Sequence, residues 1–321
     1  MKANGTVKKC SPVDSMKMKV WNDLKTYRPQ EKAANVALGF FDGVHLGHRA
    51  VIGACAKDPD AVCIVLTFRE SPAKVLGRSA PPLISDNARK AQLLAQAGAH
   101  EVIFADFAAV KDLSPEEFVR DILCAKLHAK RVFCGFNYRF GQGGKGDVAL
   151  LKTLCTEIGI GVTTVSAVYC DGEQVSSSLI RRCIADGEIA RANRMLGYRY
   201  AVEGVIEGGN QFGSSMGFPT VNIPIREGAV IPRFGVYASQ VTIDGAVFRG
   251  ATNIGVHPTV GANDEPLCES FLLDFDGGDL YGKKAACTLI EFIRPERRFS
   301  SKEELTAQIR LDCDTIGKMD L

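Results

Sequence analysis

Val36-Ala-Leu-Gly-Phe-Phe-Asp-Gly-Val-His-Leu-Gly-His48 decides the fold of the first half of this chain. Val36, Ala37 and Leu38 read as a buried strand that breaks at a turn holding Gly39 and Gly43. His45 and His48 then open a helix, where a spacing of three puts two side chains on one face. A helix N-terminus offers free N–H groups and a positive dipole end to phosphate. Two imidazoles beside it add donors where charge builds on a phosphorus atom under attack. Strand, glycine turn and His-x-Gly-His together point to nucleotidyl transfer from ATP. The competing reading is a pair of surface or helix-capping histidines.

Outward from this stretch the chain alternates. Strands are expected at Val36–Phe41, Ala61–Phe68, Glu101–Phe107, Arg131–Phe136 and Val162–Val168. Helices are expected at His45–Lys57, at Ser85–Ala97 with Ser85 as its N-cap, from Ser114 to about His128, and at Gly146–Ile158. Ser114-Pro-Glu-Glu117 carries a capping box with proline in the first turn. Such alternation means βαβ units on a doubly wound parallel sheet, whose ligands sit at the carboxyl ends of the strands.

After Ser176 the pattern changes. Leu179–Gly197 reads as two short helices broken at Asp186-Gly187. Strands then dominate: Ala201–Glu207, Gly235–Ile243, Ala246–Ala251, Glu269–Phe275 and Lys284–Ile293. Asp244-Gly245 between alternating runs is a hairpin signal. Strands joined by turns favour an antiparallel β-barrel. A terminal helix begins at Ser300 or Ser301, with Leu305, Ile309 and Ile316 facing the barrel. The expected domains are 16–186 and 187–321, and Met1 to Lys19 reads as a loose leader.

Bulk composition narrows the classes. The 321 residues are 46% hydrophobic and 24% charged, with a net charge of +2, which gives no footprint for nucleic acid. No window approaches the roughly 18 apolar residues of a membrane span. The 11 cysteines are odd in number and form no Cys-x-x-Cys pair, which argues against a disulfide framework and a zinc ribbon. Cys63, Cys124, Cys134 and Cys287 read as reduced core residues, and the expected compartment is the cytoplasm.

Further segments carry chemistry. Val132-Phe-Cys-Gly-Phe-Asn-Tyr-Arg-Phe-Gly141 ends a strand in aromatics and glycines that can hold a planar ring and approach phosphate. Ser176, Ser177 and Ser178 with Arg181 form an anion cradle at a helix start. Gly208 to Asn222 is a glycine-rich loop, including Gly213 and Gly217, that runs into an extended segment. There Thr220 and Asn222 share one side and offer hard oxygen ligands suited to Mg²⁺ on ATP phosphates. Glu269 alternates with Phe271 and Leu273; a carboxylate on that apolar side is a candidate general base. For each segment the bland alternative is structural: a flexible loop, a serine cap, a strand edge, a salt-bridged glutamate.

Taken together these segments resemble the bacterial bifunctional riboflavin kinase/FMN adenylyltransferase family, also called FAD synthetase, from about Val20 to Ile316. Gly39-x-Phe-Asp-Gly-Val-His-x-Gly-His48, Gly135-Phe-Asn-Tyr-Arg-Phe-Gly141 and Ser176-Ser-Ser-x-Ile-Arg181 match its adenylyltransferase module. Gly217-Phe-Pro-Thr-Val-Asn222, Asn253-Ile-Gly-Val-His-Pro-Thr259 and Asp274–Gly282 match its kinase barrel. The resemblance implies a nucleotidyltransferase-like α/β domain followed by a kinase β-barrel with a terminal helix. It implies His45, His48, Arg181 and Glu269 as catalytic. It implies ATP contacts at Gly39, Phe41, Asp42, Gly43, Gly47, Asn137, Ser176, Ser177, Ser178, Gly213, Gly217, Thr220 and Asn222, the last two also on Mg²⁺. Substrates would be riboflavin, FMN and ATP, with no nucleic-acid or membrane partner, on a monomer or weak homo-oligomer. Ser214 and His257 stand where the family usually has arginine. They motivate the alternative of adenylyltransferase activity alone, with a weak or inactive barrel; a non-catalytic flavin or nucleotide sensor is disfavoured because His45, His48 and Glu269 are all present.

Overall fold

The computed structural model describes residues 18–208, 220–256, 265–273, 275 and 277–320. They fall into two compact units. The first comprises the described parts of Met1–Phe40 with Val51–Val75 and Ala91–Val165; the second comprises Phe41–Ala50, Leu76–Lys90 and the described parts of Ser166–Leu321.

The first unit is built on a six-stranded sheet: β1 (Lys19–Trp21), β2 (Ala33–Leu38), β3 (Ala61–Phe68), β4 (Glu101–Ala105), β5 (Ala129–Gly135) and β6 (Gly161–Val165). All pairings are parallel, in the order β1-β4-β3-β2-β5-β6. The central strands β2, β3 and β4 are apolar and buried almost throughout, the pattern of a sheet covered on both faces. Successive strands step one way from β2 to β4 and the other way from β5, so the order reverses between β2 and β5. Such a switch point is where doubly wound sheets open a ligand crevice. Gly39 follows β2 and Asn137 follows β5, and the two strands pair with Leu38 across Cys134.

The expected parallel sheet is therefore present, with local corrections. Ser85 does not cap the helix Asn87–Gln96; Asp86 does, accepting from the Arg89 N–H at 2.7 Å. The capping box at Ser114 is formed, but the helix widens after one turn into a π-helix over Phe118–Lys126. Cys124 is exposed on that segment rather than in the core. Lys19 belongs to β1, which pairs with β4, and not to a loose leader.

The second unit holds a small hairpin, β7 (Tyr169–Cys170) and β8 (Glu173–Gln174), then the helices Ser177–Ala185 and Ile189–Leu196. Six antiparallel strands follow: β9 (Ala201–Val205), β10 (Thr220–Pro224), β11 (Gly235–Ile243), β12 (Ala246–Val256), β13 (Pro266–Leu272) and β14 (Lys284–Pro295). Their order is β10-β13-β12-β11-β14-β9, and a bridge between Glu207 and Asn222 draws the two edges together into a nearly closed barrel. Asp244 and Gly245 both have positive φ, 49° and 85°, as the two-residue turn between β11 and β12 requires.

Alternation sorts the barrel's two faces. Val221, Ile223, Tyr237, Val241, Ile254, Cys268 and Leu289 belong to the core inside. Ala238, Ala251 and Phe271 point the other way, under Ile309, Cys313 and Ile316 of the terminal helix Lys302–Gly317, with Leu305 packed beside them. That is the orientation expected for this helix, whose N-cap is Ser301.

Candidate functional site

The first site lies in the second unit, around the turn Phe41–Val44. Phe41, Gly43 and Val44 adopt φ of 54°, 76° and 36°. Side chains at positive φ, above all a β-branched valine, cost on the order of 1–3 kcal/mol each and persist only where surrounding contacts over-determine them. Here the turn is held from several directions. Ser177 Oγ donates to the Asp42 carbonyl at 3.0 Å, the Gly43 N–H donates to Ser85 Oγ at 3.2 Å, and Tyr198 Oη donates to the Gly43 carbonyl at 2.8 Å. Gly43 has no room for a side chain, since a Cβ there would meet Ile84 at 3.0 Å.

Asp42 is the hub. Its side chain is 1% exposed and accepts from the Ile84 N–H at 3.1 Å, the Ser85 N–H at 3.2 Å and Arg181 Nη2 at 2.7 Å. A carboxylate so occupied holds Arg181 in place. Arg181 also donates through Nε to the Pro82 carbonyl at 2.7 Å. A guanidinium has five N–H donors, so this fixed fork keeps others for an anion.

His45 sits just before the helix Leu46–Ala56 as its cap: its carbonyl accepts from the Arg49 N–H at 2.9 Å, and its Nδ1 accepts from the His48 N–H at 3.3 Å. Neutral His45 therefore carries its proton on Nε2. The two imidazoles stack, with centroids 3.6 Å apart and planes 17° from parallel, and Phe41 meets His48 edge-on at 5.2 Å. Gly47 leaves space for this, because a Cβ there would lie 3.1 Å from His45 Cε1. Burial pulls the His45 pKa down to about 4, with the Arg181 charge adding to it. His48 is also held well below its ordinary value, by burial first and then by His45, Lys90 and Arg181. Both rings are neutral near pH 7. His48 Nδ1 is buried and has no hydrogen-bond partner among the described residues.

Lys90 completes this charge cluster, and sequence reading missed it. It is 1% exposed, faces Asp42 and Asp86 electrostatically, and is lowered by burial to about 8. Ser85 and Tyr198 were likewise missed as supports of the turn. Of the three serines, Ser177 turns to Asp42 on the same face as Arg181, one helical turn apart. Ser176 caps the helix, accepting from the Leu179 N–H at 3.2 Å, and with Ser178, Gln174 and Arg182 lines a cavity of about 420 Å³. Gly39 and Asn137 belong to the first unit; the Gly39 N–H bonds the Leu66 carbonyl, and Asn137 Oδ1 packs over Gly135.

The second site is on the barrel. Asn222 of β10, Glu269 of β13 and Asn253 of β12 are register partners and form one row across three strands. Thr220 pairs with Phe271 on the same face. Asn222 is buried, and Thr220, Glu269 and Asn253 are half-buried. Asn253 Nδ2 donates to Glu296 Oε1 at 3.3 Å, and a Cβ at Gly255 would collide with that carboxylate. The donors along the row, a hydroxyl, amide oxygens and a carboxylate, are hard oxygen ligands that fit a divalent cation shared with phosphates. Asn253 was expected only as part of a matching motif; its place opposite Glu269 comes from the register. Gly213 and Gly217, and the departures Ser214 and His257, lie outside the described residues.

A family model for FAD synthetase matches residues 27–179, and one for riboflavin kinase matches 196–319. A protein of Listeria monocytogenes named bifunctional riboflavin kinase/FMN adenylyltransferase is 36% identical over 86% of this chain and 89% of its own length. Those of Bacillus subtilis and Escherichia coli, with the same name, are each 34% identical over 88% of this chain and 92% and 91% of theirs. A solved structure described as a macrolide-efflux protein from Streptococcus pneumoniae superposes with a TM-score of 0.84 at 27% identity, covering 94% of this chain and 99% of that one. Efflux is that protein's description. Among the described residues here, no helix is long and apolar enough to cross a membrane.

Proposed function

The chain belongs to the bifunctional riboflavin kinase/FMN adenylyltransferase family, making FMN from riboflavin and ATP and then FAD from FMN and ATP, and from that premise we propose how its residues divide the work. In the barrel, Glu269 accepts the proton of the ribityl 5′-hydroxyl. The freed oxygen attacks the γ-phosphorus of ATP, and ADP leaves. Thr220 and Asn222 hold the ATP phosphates and the divalent metal that such enzymes use, here Mg²⁺. When bound there, such a metal would supply positive charge to the transferring phosphoryl group. Asn253, the register partner of Glu269 on the neighbouring strand, is held by Glu296 and adds an amide oxygen to the row.

For adenylylation, an oxygen of the FMN phosphate attacks the α-phosphorus of a second ATP, and pyrophosphate leaves. A phosphate monoester is largely ionised at neutral pH, so this step needs no strong base. It needs donors fixed where negative charge grows. His45 and His48 supply neutral N–H groups, Arg181 supplies a held cation, and Ser177 keeps the turn closed. Phe41, Gly43 and Gly47 would shape the nucleotide's approach, with Ser176 and Ser178 at the cavity beside the helix start; for Gly39 and Asn137, in the first unit, the family resemblance alone supports an ATP contact. Gly213 and Gly217 would give the kinase loop room for phosphate. We place the domains at 16–186 and 187–321 and the protein in the cytoplasm as a monomer or weak homo-oligomer without nucleic-acid partners; ten free cysteines among the described residues suit a reducing compartment.

The observation that carries this reading is the pair of stacked neutral imidazoles beside an arginine locked by a buried aspartate. Replacing His48 by Ala is expected to cut FAD formation from supplied FMN at least ~10²-fold, as loss of one transition-state donor does, with riboflavin phosphorylation nearly unchanged. Glu269→Gln should do the reverse. Equal loss of both activities in either folded variant overturns the division.

A further inference from the structure

Every peptide group at the centre of the strained turn is held by a side chain from elsewhere in the second unit, and two of these side chains, Ser177 and Tyr198, lie far along the chain. Ser177 holds the Asp42 carbonyl, Ser85 the Gly43 N–H, and Tyr198 the Gly43 carbonyl at 2.8 Å. Tyr198 falls outside the residues matched by the FAD synthetase model, 27–179, and inside those matched by the riboflavin kinase model, 196–319. Its ring is flanked by two guanidinium groups, Arg49 at 5.7 Å and Arg89 at 5.6 Å from the centroid. Arg89 is itself tied to Glu203 at 3.4 Å. The preceding residue, Gly197, ends its helix at φ 73° and lies so close to the signature helix that a Cβ there would come within 2.7 Å of Leu46 Cδ2. Residues 197 and 198 therefore brace both ends of the stretch from Gly43 to Leu46, with His45 between them.

We propose that Tyr198 is a positioning residue for adenylyl transfer: its hydroxyl fixes the Gly43 carbonyl, and so the strained turn that presents His45 and His48. The proposal rests on the role given above to the two histidines. Two neighbouring carbonyls of the turn, those of Asp42 and Gly43, thus take their donors from Ser177 and from Tyr198. A turn with residues at unfavourable φ relaxes when such a tie is cut. The imidazoles then lose their alignment with the phosphorus atom, and misplacement by about an ångström is costly to rate.

The test is Tyr198→Phe in the full chain, which keeps the ring and both cation–π contacts and removes only the hydroxyl. Initial rates of FAD formation from FMN and of FMN formation from riboflavin are measured on one preparation over a range of ATP and flavin concentrations. We expect kcat for FAD formation to fall about 5–10-fold with KM for ATP changed less than twofold, while kinase kcat stays within twofold. Ser85→Ala, which removes the acceptor of the Gly43 N–H, should show the same split. An unchanged kcat for FAD formation, or an equal fall in both activities, overturns the proposal, because a tyrosine that merely stabilises the fold moves both or neither. His48→Ala is run alongside. If it leaves FAD formation intact, the reading of the histidines fails. If it abolishes FAD formation while Tyr198→Phe does not slow it, only the role of Tyr198 falls.

Discussion

Asp42→Asn is the substitution that most directly probes the proposed adenylylation site. The two side chains have nearly the same shape, so no cavity opens. What changes is charge and donor pattern at a position 1% exposed. Asp42 accepts two backbone N–H groups, of Ile84 and Ser85, and the Arg181 guanidinium. Asparagine keeps one acceptor oxygen. Turned to the backbone N–H groups, it points its NH₂ at Arg181; turned to Arg181, it points its NH₂ at the backbone donors. Arg181 is left without its counter-ion in either case, and Lys90 loses one of the two carboxylates that oppose its desolvation. Removing one partner of a buried pair costs about 3–5 kcal/mol, and the surviving acceptor places this case near 3. At about 2–4 °C per kcal/mol for a domain of this size, the thermal midpoint should drop by about 6–12 °C. FAD formation should fall with it even well below the new midpoint, because Arg181 no longer sits in a fixed fork. Calorimetry and initial rates on the single variant, on Arg181→Met and on the double variant complete the cycle. The double variant buries no unpaired guanidinium and should be less destabilised than the two single effects summed, by at least ~1 kcal/mol. A midpoint shift under about 3 °C for Asp42→Asn, or simple additivity in the double variant, refutes the reasoning.

Stability should also depend on pH through His45. The folded chain holds its pKa at about 4, while an unfolded histidine titrates near 6.5. Between those values the unfolded state takes up a proton that the folded state refuses, so stability is full above pH 6.5 and is lost as pH falls toward 4. A shift of this size is worth on the order of 3 kcal/mol, and His45→Gln should flatten that part of a melting-temperature profile. In the barrel interior, Thr252 Oγ1 bonds Ser239 Oγ at 2.6 Å and Ser270 Oγ at 2.7 Å, and all three residues are fully buried. Thr252→Val leaves those hydroxyls short of a partner and should cost about 1–3 kcal/mol in denaturant unfolding with little change in kinase KM.

Much of this protein is legible in its amino-acid sequence. Apolar runs separated by helical stretches are enough to demand a parallel sheet. The Asp244-Gly245 turn, the capping box at Ser114 and the cap at Ser301 act within a few residues and appear where their chemistry requires. Local reasoning erred where two local signals competed. Asp86 and Ser85 are both good helix caps, and Asp86 won because Ser85 is engaged by Gly43, 42 residues away.

Periodicity by itself determined the two architectures, and short motifs with the family resemblance picked out the candidate residues for phosphate chemistry. Tertiary structure alone decided which partners those residues meet. Asp42 grips Arg181, 139 positions later, and Tyr198 reaches Gly43 across 155. Lysine at position 90 reads as a surface residue in any helix pattern, and only the packed fold buries it beside Asp42. The row Asn222–Glu269–Asn253 exists only once β10, β13 and β12 have chosen their register. Sequence signals are set by neighbours within one or two turns of chain, whereas charge, burial and hydrogen-bond partners are set by whatever the fold brings within a few ångströms.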